Sequence, residues 1–402
     1  MTLRISDASA LLSAGAVRSC AEEAFALVEA GKLDDWILNL GMLPACAEFV
    51  ANVVRKRYPT LDVPFHARWR HFVFGGRDLW REISQDVRWR DADARARAEF
   101  DLAITSVLLD AGAGPAWRFV DPSTDLSASR SEGLALASLR LFEWGGFSAD
   151  PTDPLRADAE GLARLDGTAL ADALQAGEMN PLDGLDGRAR LLNRLGQTVD
   201  ANPGLFALHD APRPGGLFDE LKARAAGGVL PAPVILEVLL EGLGPIWENR
   251  PSLGGVPLGD CWPHPQLGYL PLHKLSQWLA YSLIEPLERA GLRVVEIDGL
   301  TGLAEYRNGG LFVDAGVLAP ADHAPRAYDV GDPAIVAWRS LTVALLDRLA
   351  PMVCERLGVS AEQFPLAKVL EGGTWAAGRE IARKRRADGG PPLLIHSDGT
   401  VF

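Results

Sequence analysis

The chain has 402 residues, 48% hydrophobic and 23% charged, which is the make-up of a folded globular protein and excludes disorder along its whole length. That length corresponds to two or three lobes or to one large core. Lys and Arg total 40 against 53 Asp and Glu, a formal net charge of −13. Such a field argues against non-specific binding to nucleic acid or an anionic membrane, but leaves room for a local Arg pocket around an anionic small molecule.

No run of apolar residues is long enough to predict a membrane-spanning helix. The stretch from Met1 to Arg18 carries Asp7 and no small-residue cleavage site, so it reads as mature protein. Cys20, Cys46, Cys261 and Cys354 are scattered, without a C-x-x-C pair. Reduced thiols in a cytoplasmic protein are the expectation.

Along the chain, Ser19 and Glu22 form an S-x-x-E pattern that predicts a helix start, with Gly31 as its C-terminal stop. Asp35 to Lys56 reads as a second helix, interrupted near Pro44. Helices are also predicted over Ala98–Leu109, Ser131–Phe142, Gly161–Leu174, Gly187–Val199 and Phe218–Ala226. Pro, Gly and Asp gather in loops at Asp150–Asp158 and Ala201–Gly216, and the second is the candidate lobe boundary. A helix is expected at Pro233–Leu243, then a packed loop rich in Trp, Pro and Gly to Pro271.

Leu272 to Gly291 is the clearest long helix, with Leu272, Leu275, Leu279 and Leu283 as its core stripe. Leu292–Ile297 and Leu311–Val317 read as strands joined by a polar loop. Helices follow at Ala334–Leu349, with a break at Pro351, and at Thr374–Arg386. A terminal hairpin is expected from Leu393–Ile395 through Asp398-Gly399 to Val401-Phe402. The class is mainly α with a small β element in the C-terminal half. The expected organisation is one compact unit over 1–402, with a helical N-terminal lobe at 1–215 and a site-bearing C-terminal lobe at 225–402.

Several clusters have the residue types that chemistry requires. Leu300 to Asp314 places Glu305, Tyr306, Arg307, Asn308 and Asp314 together, and Gly309-Gly310 would let the backbone approach a ligand or take positive φ. The same residues also suit a polar hairpin loop with a surface ion pair. His273, Gln277 and Tyr281 recur at helical spacing beside Lys274, as a ligand-facing stripe or as a solvated helix face. Arg68, Arg70 and His71 interleave with aromatics, as an anion pocket or as a braced surface. Asp110 follows a buried apolar run, as a helix cap or a semi-buried acid. Glu371-Gly-Gly-Thr-Trp375, with Arg379 beyond, suggests an anion-binding helix N-terminus. No H-E-x-x-H, no Cys/His zinc spacing and no G-x-S-x-G occur, so neither a metal nor another cofactor is expected.

Seven long strings carry a resemblance: FHARWRHFVFGG from Phe65, SVLLDAGAGPAW from Ser106, RSEGLALA from Arg130, LHKLSQWLAYSLIEP from Leu272, LTGLAEYRNGGLFVD from Leu300, EGGTWAAGREI from Glu371, and the terminal SDGTVF. They span nearly the whole chain. Together they resemble the fourth protein of the URC-type (Urg-type) uracil catabolism pathway of fungi and bacteria. The resemblance implies a role in degrading uracil by way of its ribonucleotide, with ring opening and release of urea. A weaker similarity, on His273-Lys274-Leu-Ser-Gln277, Leu300-Thr301 and Glu305-Tyr306-Arg307, is to queuosine-nucleotide salvage glycosidases. That similarity implies a DNA-glycosylase-like helical core and cleavage of an N-glycosidic bond. Those enzymes have Asp where this chain has Glu305, a difference of one methylene.

On this resemblance the expectation is an N-glycosyl hydrolase releasing urea from a phosphoribosyl-urea intermediate. Glu305 would stabilise the oxocarbenium-like charge or activate water, with Asp314 or Asp110 assisting. His273, Lys274 and Gln277 would assist the leaving urea. Tyr281, Tyr306, Asn308, His71, Trp375 and Arg379 are further candidate substrate contacts, and Arg307, Arg68 and Arg70 are candidates for a phosphate. The alternatives are an amidohydrolase or lyase on a ureido intermediate and a non-catalytic nucleotide-binding protein. The expected partner is a small nucleotide-derived molecule, not nucleic acid or membrane. A homo-oligomer is compatible with the sequence.

Overall fold

The computed structural model describes residues 7–114, 116–207, 211–322 and 326–396. They are mainly helical, and the β structure consists of separate two-stranded ladders found in both halves of the chain. Among the described residues no helix is long and apolar enough to cross a membrane. Contacts divide the chain into two units that alternate along the sequence. One contains the chain up to residue 66 with 250–277 and 296–396; the other contains 67–249 and 278–295.

The first unit is built on the helix Pro333–Leu357, whose residues from Ala334 to Leu346 are all buried. The helices Ala14–Glu29 and Leu43–Arg57 pack against it. The first of these starts at Ser13, whose hydroxyl accepts from the Ala16 N–H, and not at the Ser19–Glu22 pattern, which lies inside the helix. Its end is as expected: Gly31 takes φ +64°, and the Gly31 and Lys32 N–H groups close back on the Val28 and Leu27 carbonyls. Asp35–Lys56 is not one helix. Trp36–Leu38 is a strand paired antiparallel with Leu318–Pro320, and Pro44 sits in the first turn of the next helix, where its missing N–H is not needed. Trp36 stacks on Trp338 at 5.9 Å.

The loop expected before Pro271 holds two hairpins, Ser252–Leu253 with Val256–Pro257 and Cys261–His264 with Gly268–Pro271. Pro351 does not break its helix, which runs on to Leu357 and stops at Gly358 (φ +74°). Leu394–His396 pairs parallel with Ala327–Asp329, while the rest of the expected terminal hairpin lies outside the described residues.

Leu311–Val317 differs most from expectation. It is not a strand: Tyr306–Asp314 is a helix, so the polar loop between two strands does not exist. Leu311 and Phe312 are both buried, a run of neighbours that suits a buried strand and a buried helix equally. Neither glycine takes positive φ; Gly309 seats the helix against its neighbour, and Gly310 lies against Pro392. A Cβ on Gly309 would lie 2.8 Å from the Trp338 ring and 2.9 Å from Thr342 Oγ1. Across from it, a Cβ on Gly378 would collide with the Arg307 carbonyl.

The second unit centres on the helices Ala92–Leu108 and Arg130–Glu143, each with a long buried run. Leu185–Ala201 and Gly216–Arg224 pack against the former. The helix expected over Gly161–Leu174 is two short ones, Ala159–Arg164 and Gly167–Ala173. Asp166 breaks the run by capping the second, accepting from Ala169 N–H at 2.8 Å. Arg293–Val295 is a strand as expected and pairs parallel with Val229–Pro231.

Candidate functional site

The frame of the site in the first unit is a buried ion pair. Arg339 projects from the middle of its apolar helix and meets Asp260 with both terminal nitrogens, at 2.9 and 2.7 Å. Burial alone would push the Asp260 carboxyl up, but the Arg339 charge, its hydrogen bonds and the Lys274 and Trp262 N–H donors outweigh it. The carboxyl therefore stays far below the usual Asp range.

The pair also sets the backbone on either side. Asp260 Oδ2 accepts the Lys274 N–H at 3.0 Å, and the Asp260 carbonyl accepts the Leu272 and His273 N–H groups. Arg339 Nε donates to the Ala304 carbonyl at 3.1 Å. One ion pair thus fixes the start of the Lys274–Arg289 helix and the residue just before Glu305. His273, at that start, is held at φ +46°.

Glu305 is the N-cap of Tyr306–Asp314, as an extended residue ahead of a helix with orphan N–H groups should be. Its carboxylate accepts from the Arg307 N–H at 2.7 Å and the Asn308 N–H at 2.6 Å. Only 7% of the residue is exposed. Burial pushes its pKa above the ordinary carboxylate value, while the Lys274 charge and the two capping N–H groups pull against that rise. The result is a buried acid beside an ammonium, a combination suited to proton transfer.

His273 and Gln277 are buried in this unit. His273 Nε2 pairs with the Leu11 carbonyl at 2.9 Å, and burial pushes the imidazole toward its neutral form. Gln277 Oε1 accepts the Thr301 N–H, and Asn308 Nδ2 donates to the Leu303 carbonyl. Arg307 is buried, donates to the Gly389 carbonyl at 2.8 Å and lies 4.7 Å from the Tyr306 ring centre. Asp314 ends the same helix and is gripped by Arg386 through both carboxylate oxygens.

Glu371-Gly-Gly-Thr is not a helix N-terminus. Leu370–Thr374 is a π-helical turn running straight into Trp375–Arg385, and Thr374 is helical and does not cap. Its glycines seat the turn against Val50 and Val54. Glu371 instead pairs with His66 Nδ1 at 2.8 Å and accepts from the Tyr58 hydroxyl at 3.2 Å. The Trp375 ring lies 6.2 Å from that of His66, and the Arg379 guanidinium 4.7 Å from Trp375.

The remaining candidates belong to the second unit. Arg68 is fully buried and pairs with Asp110 at 3.1 Å; Arg68 Nε donates to Ser106 Oγ at 2.7 Å. Asp110 accepts from the Ser131 hydroxyl as well, so it is an ion-paired acid and not a helix cap. Arg70 pairs with Glu285. His71 meets Trp278 edge-on at 5.6 Å, and Tyr281 is fully buried. The structure therefore brings Lys274, Glu305, Gln277 and Asn308 around one short stretch of the first unit, while Arg68, Arg70, His71, Asp110 and Tyr281 form part of the second. Among the described residues no three His, Cys, Asp or Glu side chains cluster as metal ligands.

Residues 10–402 match the family described as a protein of unknown function, DUF1688. The chain belongs to the DUF1688 family. It is 39% identical to Protein urg3 of Schizosaccharomyces pombe, over 98% of each chain. It is 34% identical to Uracil catabolism protein 4 of Lachancea kluyveri, over 97% of this chain and 98% of that one. These are relatives of the kind that the seven strings pointed to.

In this DUF1688 chain the two positions that frame the candidate site escape a reading by motif, Asp260 and Arg339. Arg339 carries a visible signal, a lone charge inside Ala-Ile-Val-Ala-Trp-Arg-Ser-Leu-Thr-Val, because a buried arginine demands a buried acid. Asp260 has no comparable signal in its own neighbourhood. Glu371 and His66 each stand in a conspicuous string, but their pairing is not legible because they lie 305 positions apart.

Proposed function

We propose that the chain acts in uracil catabolism as an N-glycosyl hydrolase that releases urea from a phosphoribosyl-urea intermediate. Membership of a family with a relative named for uracil catabolism supports the pathway. The observation that carries the chemistry is Glu305, a buried carboxyl that accepts from two helix N–H groups, its pKa pushed up by burial against the pull of the Lys274 charge.

Breaking the C1′–N bond leaves positive charge on the sugar and an electron pair on the urea nitrogen. In this reading Lys274 gives that nitrogen a proton, and Glu305 faces the sugar charge. Water adds at C1′, its proton passing to Glu305, and the products are urea and ribose 5-phosphate. His273, kept neutral and tied to Leu11, serves as a helix anchor and not as the acid. A second reading, nucleotide binding without turnover, is favoured by the fact that both Glu305 oxygens already cap a helix.

One experiment separates them. Chelator-treated protein is incubated with 5-phosphoribosyl-urea, and urea and reducing sugar are followed together. Equal release of both supports the hydrolase. Binding with the substrate left intact supports the second reading.

A further inference from the structure

Gln277 and Asn308 are 0% and 1% exposed, and each is a half-used amide. Thr301 N–H donates to Gln277 Oε1 at 3.3 Å, and Asn308 Nδ2 donates to the Leu303 carbonyl at 3.2 Å. These bonds decide which way each amide faces. Reversed, Gln277 would set its NH₂ against an N–H, and Asn308 would set its oxygen against a carbonyl. The other ends are therefore known: a donor at Gln277 Nε2 and an acceptor at Asn308 Oδ1. Among the described residues neither atom has a protein partner. Thr301 and Leu303 are two positions apart, so the two anchors lie within about 10 Å of one another. The same stretch leads directly into Glu305.

We propose that Gln277 and Asn308 together recognise an open ureide, the N–CO–NH₂ group of the substrate. Gln277 Nε2 donates to the carbonyl oxygen, and Asn308 Oδ1 accepts from the terminal NH₂. A phosphate or carboxylate supplies acceptors only and would face the Asn308 oxygen with like charge. A cation supplies donors only and would face the Gln277 NH₂. A carbonyl with N–H beside it satisfies both, whether in an open ureide or on the edge of a uracil ring. The choice of the open form rests on the function proposed above.

The test is equilibrium binding to the full-length protein, by calorimetry, of non-hydrolysable carbocyclic 5-phosphoribosyl analogues. One bears urea and the other acetamide, which differ only as NH₂ against CH₃; uridine 5′-phosphate is the third ligand. The ureide is expected to bind roughly tenfold or more tightly than the acetamide, because the acetamide leaves Asn308 Oδ1 unpaired. Asn308→Leu removes that preference. Gln277→Met weakens both analogues alike and keeps the preference, which holds as a test even if Asn308→Leu fails to fold. Equal binding of the two analogues by the wild type overturns the proposal, and so does tighter binding of uridine 5′-phosphate. A protein that prefers the ureide but releases no urea upholds ureide recognition and overturns the hydrolase. One that releases urea without the preference does the reverse.

Discussion

Arg339 with Asp260 in the first unit, and Arg68 with Asp110 in the second, are both buried ion pairs, at 2.7 and 3.1 Å. The first is closed: Arg339 meets Asp260 with two nitrogens and Ala304 with the third, and Asp260 also accepts from Trp262 and Lys274. The second is open on one edge. Arg68 uses Nε and Nη1, while Nη2 is without a hydrogen-bond partner among the described residues and the guanidinium lies 5.5 Å from the Trp278 ring centre. The same two residue types thus do different work. A saturated pair is scaffold, and its effect lies in what it positions, here the backbone at Lys274 and just before Glu305. An unsaturated pair keeps a donor of its own.

The sharpest way to break the comparison is at the positioned residue. Glu305→Gln should lower urea release by about two to four orders of magnitude while retaining ligand binding. Normal turnover would remove Glu305 from the reaction. The pH dependence extends this. Because burial raises the Glu305 pKa, the acid limb of the rate profile should fall at a higher pH than the ordinary 4.5 of a glutamate. Activity should then be lost as pH falls through that raised value, and a limb at or below 4.5 would contradict the assignment.

Next comes the closed pair. Arg339→Met should cost about 3–5 kcal/mol, because it strands the Asp260 charge in the interior. Chemical denaturation measures it. The Asp260 carboxyl is depressed, so its stabilisation is present above its unfolded value near 3.8 and is lost as pH falls through the lower folded value. In Arg339→Met that stabilisation should be missing at neutral pH too. Arg68→Met should cost less, about 1–3 kcal/mol, because the Asp110 carboxylate keeps a second buried cation, Arg188, within electrostatic reach as well as the Ser131 hydroxyl, whereas the cation acting on Asp260 is Arg339 itself. Equal losses for the two variants would dissolve the distinction drawn here. Gly378→Ala, a smaller perturbation of the helix crossing on Arg307, should cost about 1–3 kcal/mol by overpacking and reduce turnover along with stability.

How much of this was legible in the sequence depends on the distance over which each contact acts. Gly31 stopped its helix as expected because its hydrogen bonds are local. The stripe of Leu275, Leu279 and Leu283 was legible for the same reason, since helical spacing is a property of neighbours, although Leu272 stands ahead of the helix, which starts at Lys274. Glu305-Tyr306-Arg307 stands out in the sequence as a polar cluster in a loop, whereas the structure makes it a helix N-cap and first turn. Whether this stretch is a strand or a helix depends on residues far along the chain, such as Trp338, which lies against Gly309. The Glu371 string differs similarly, because its glycines pack on Val50 and Val54 inside a continuous helical run and not at a helix N-terminus.

The alternation of the two units along the sequence bears on the timing of synthesis. Residues 67–249 emerge as one uninterrupted stretch and bring most of the second unit off the ribosome together. The first unit has to wait. Trp36 donates to the carbonyl of Ala334, made 298 positions later, which at ~5–20 residues per second is a delay of about 15–60 seconds. Through that interval the apolar faces of the first two helices lack the segment they pack against, so a nascent chain paused before residue 333 is where a holdase chaperone would find most to bind.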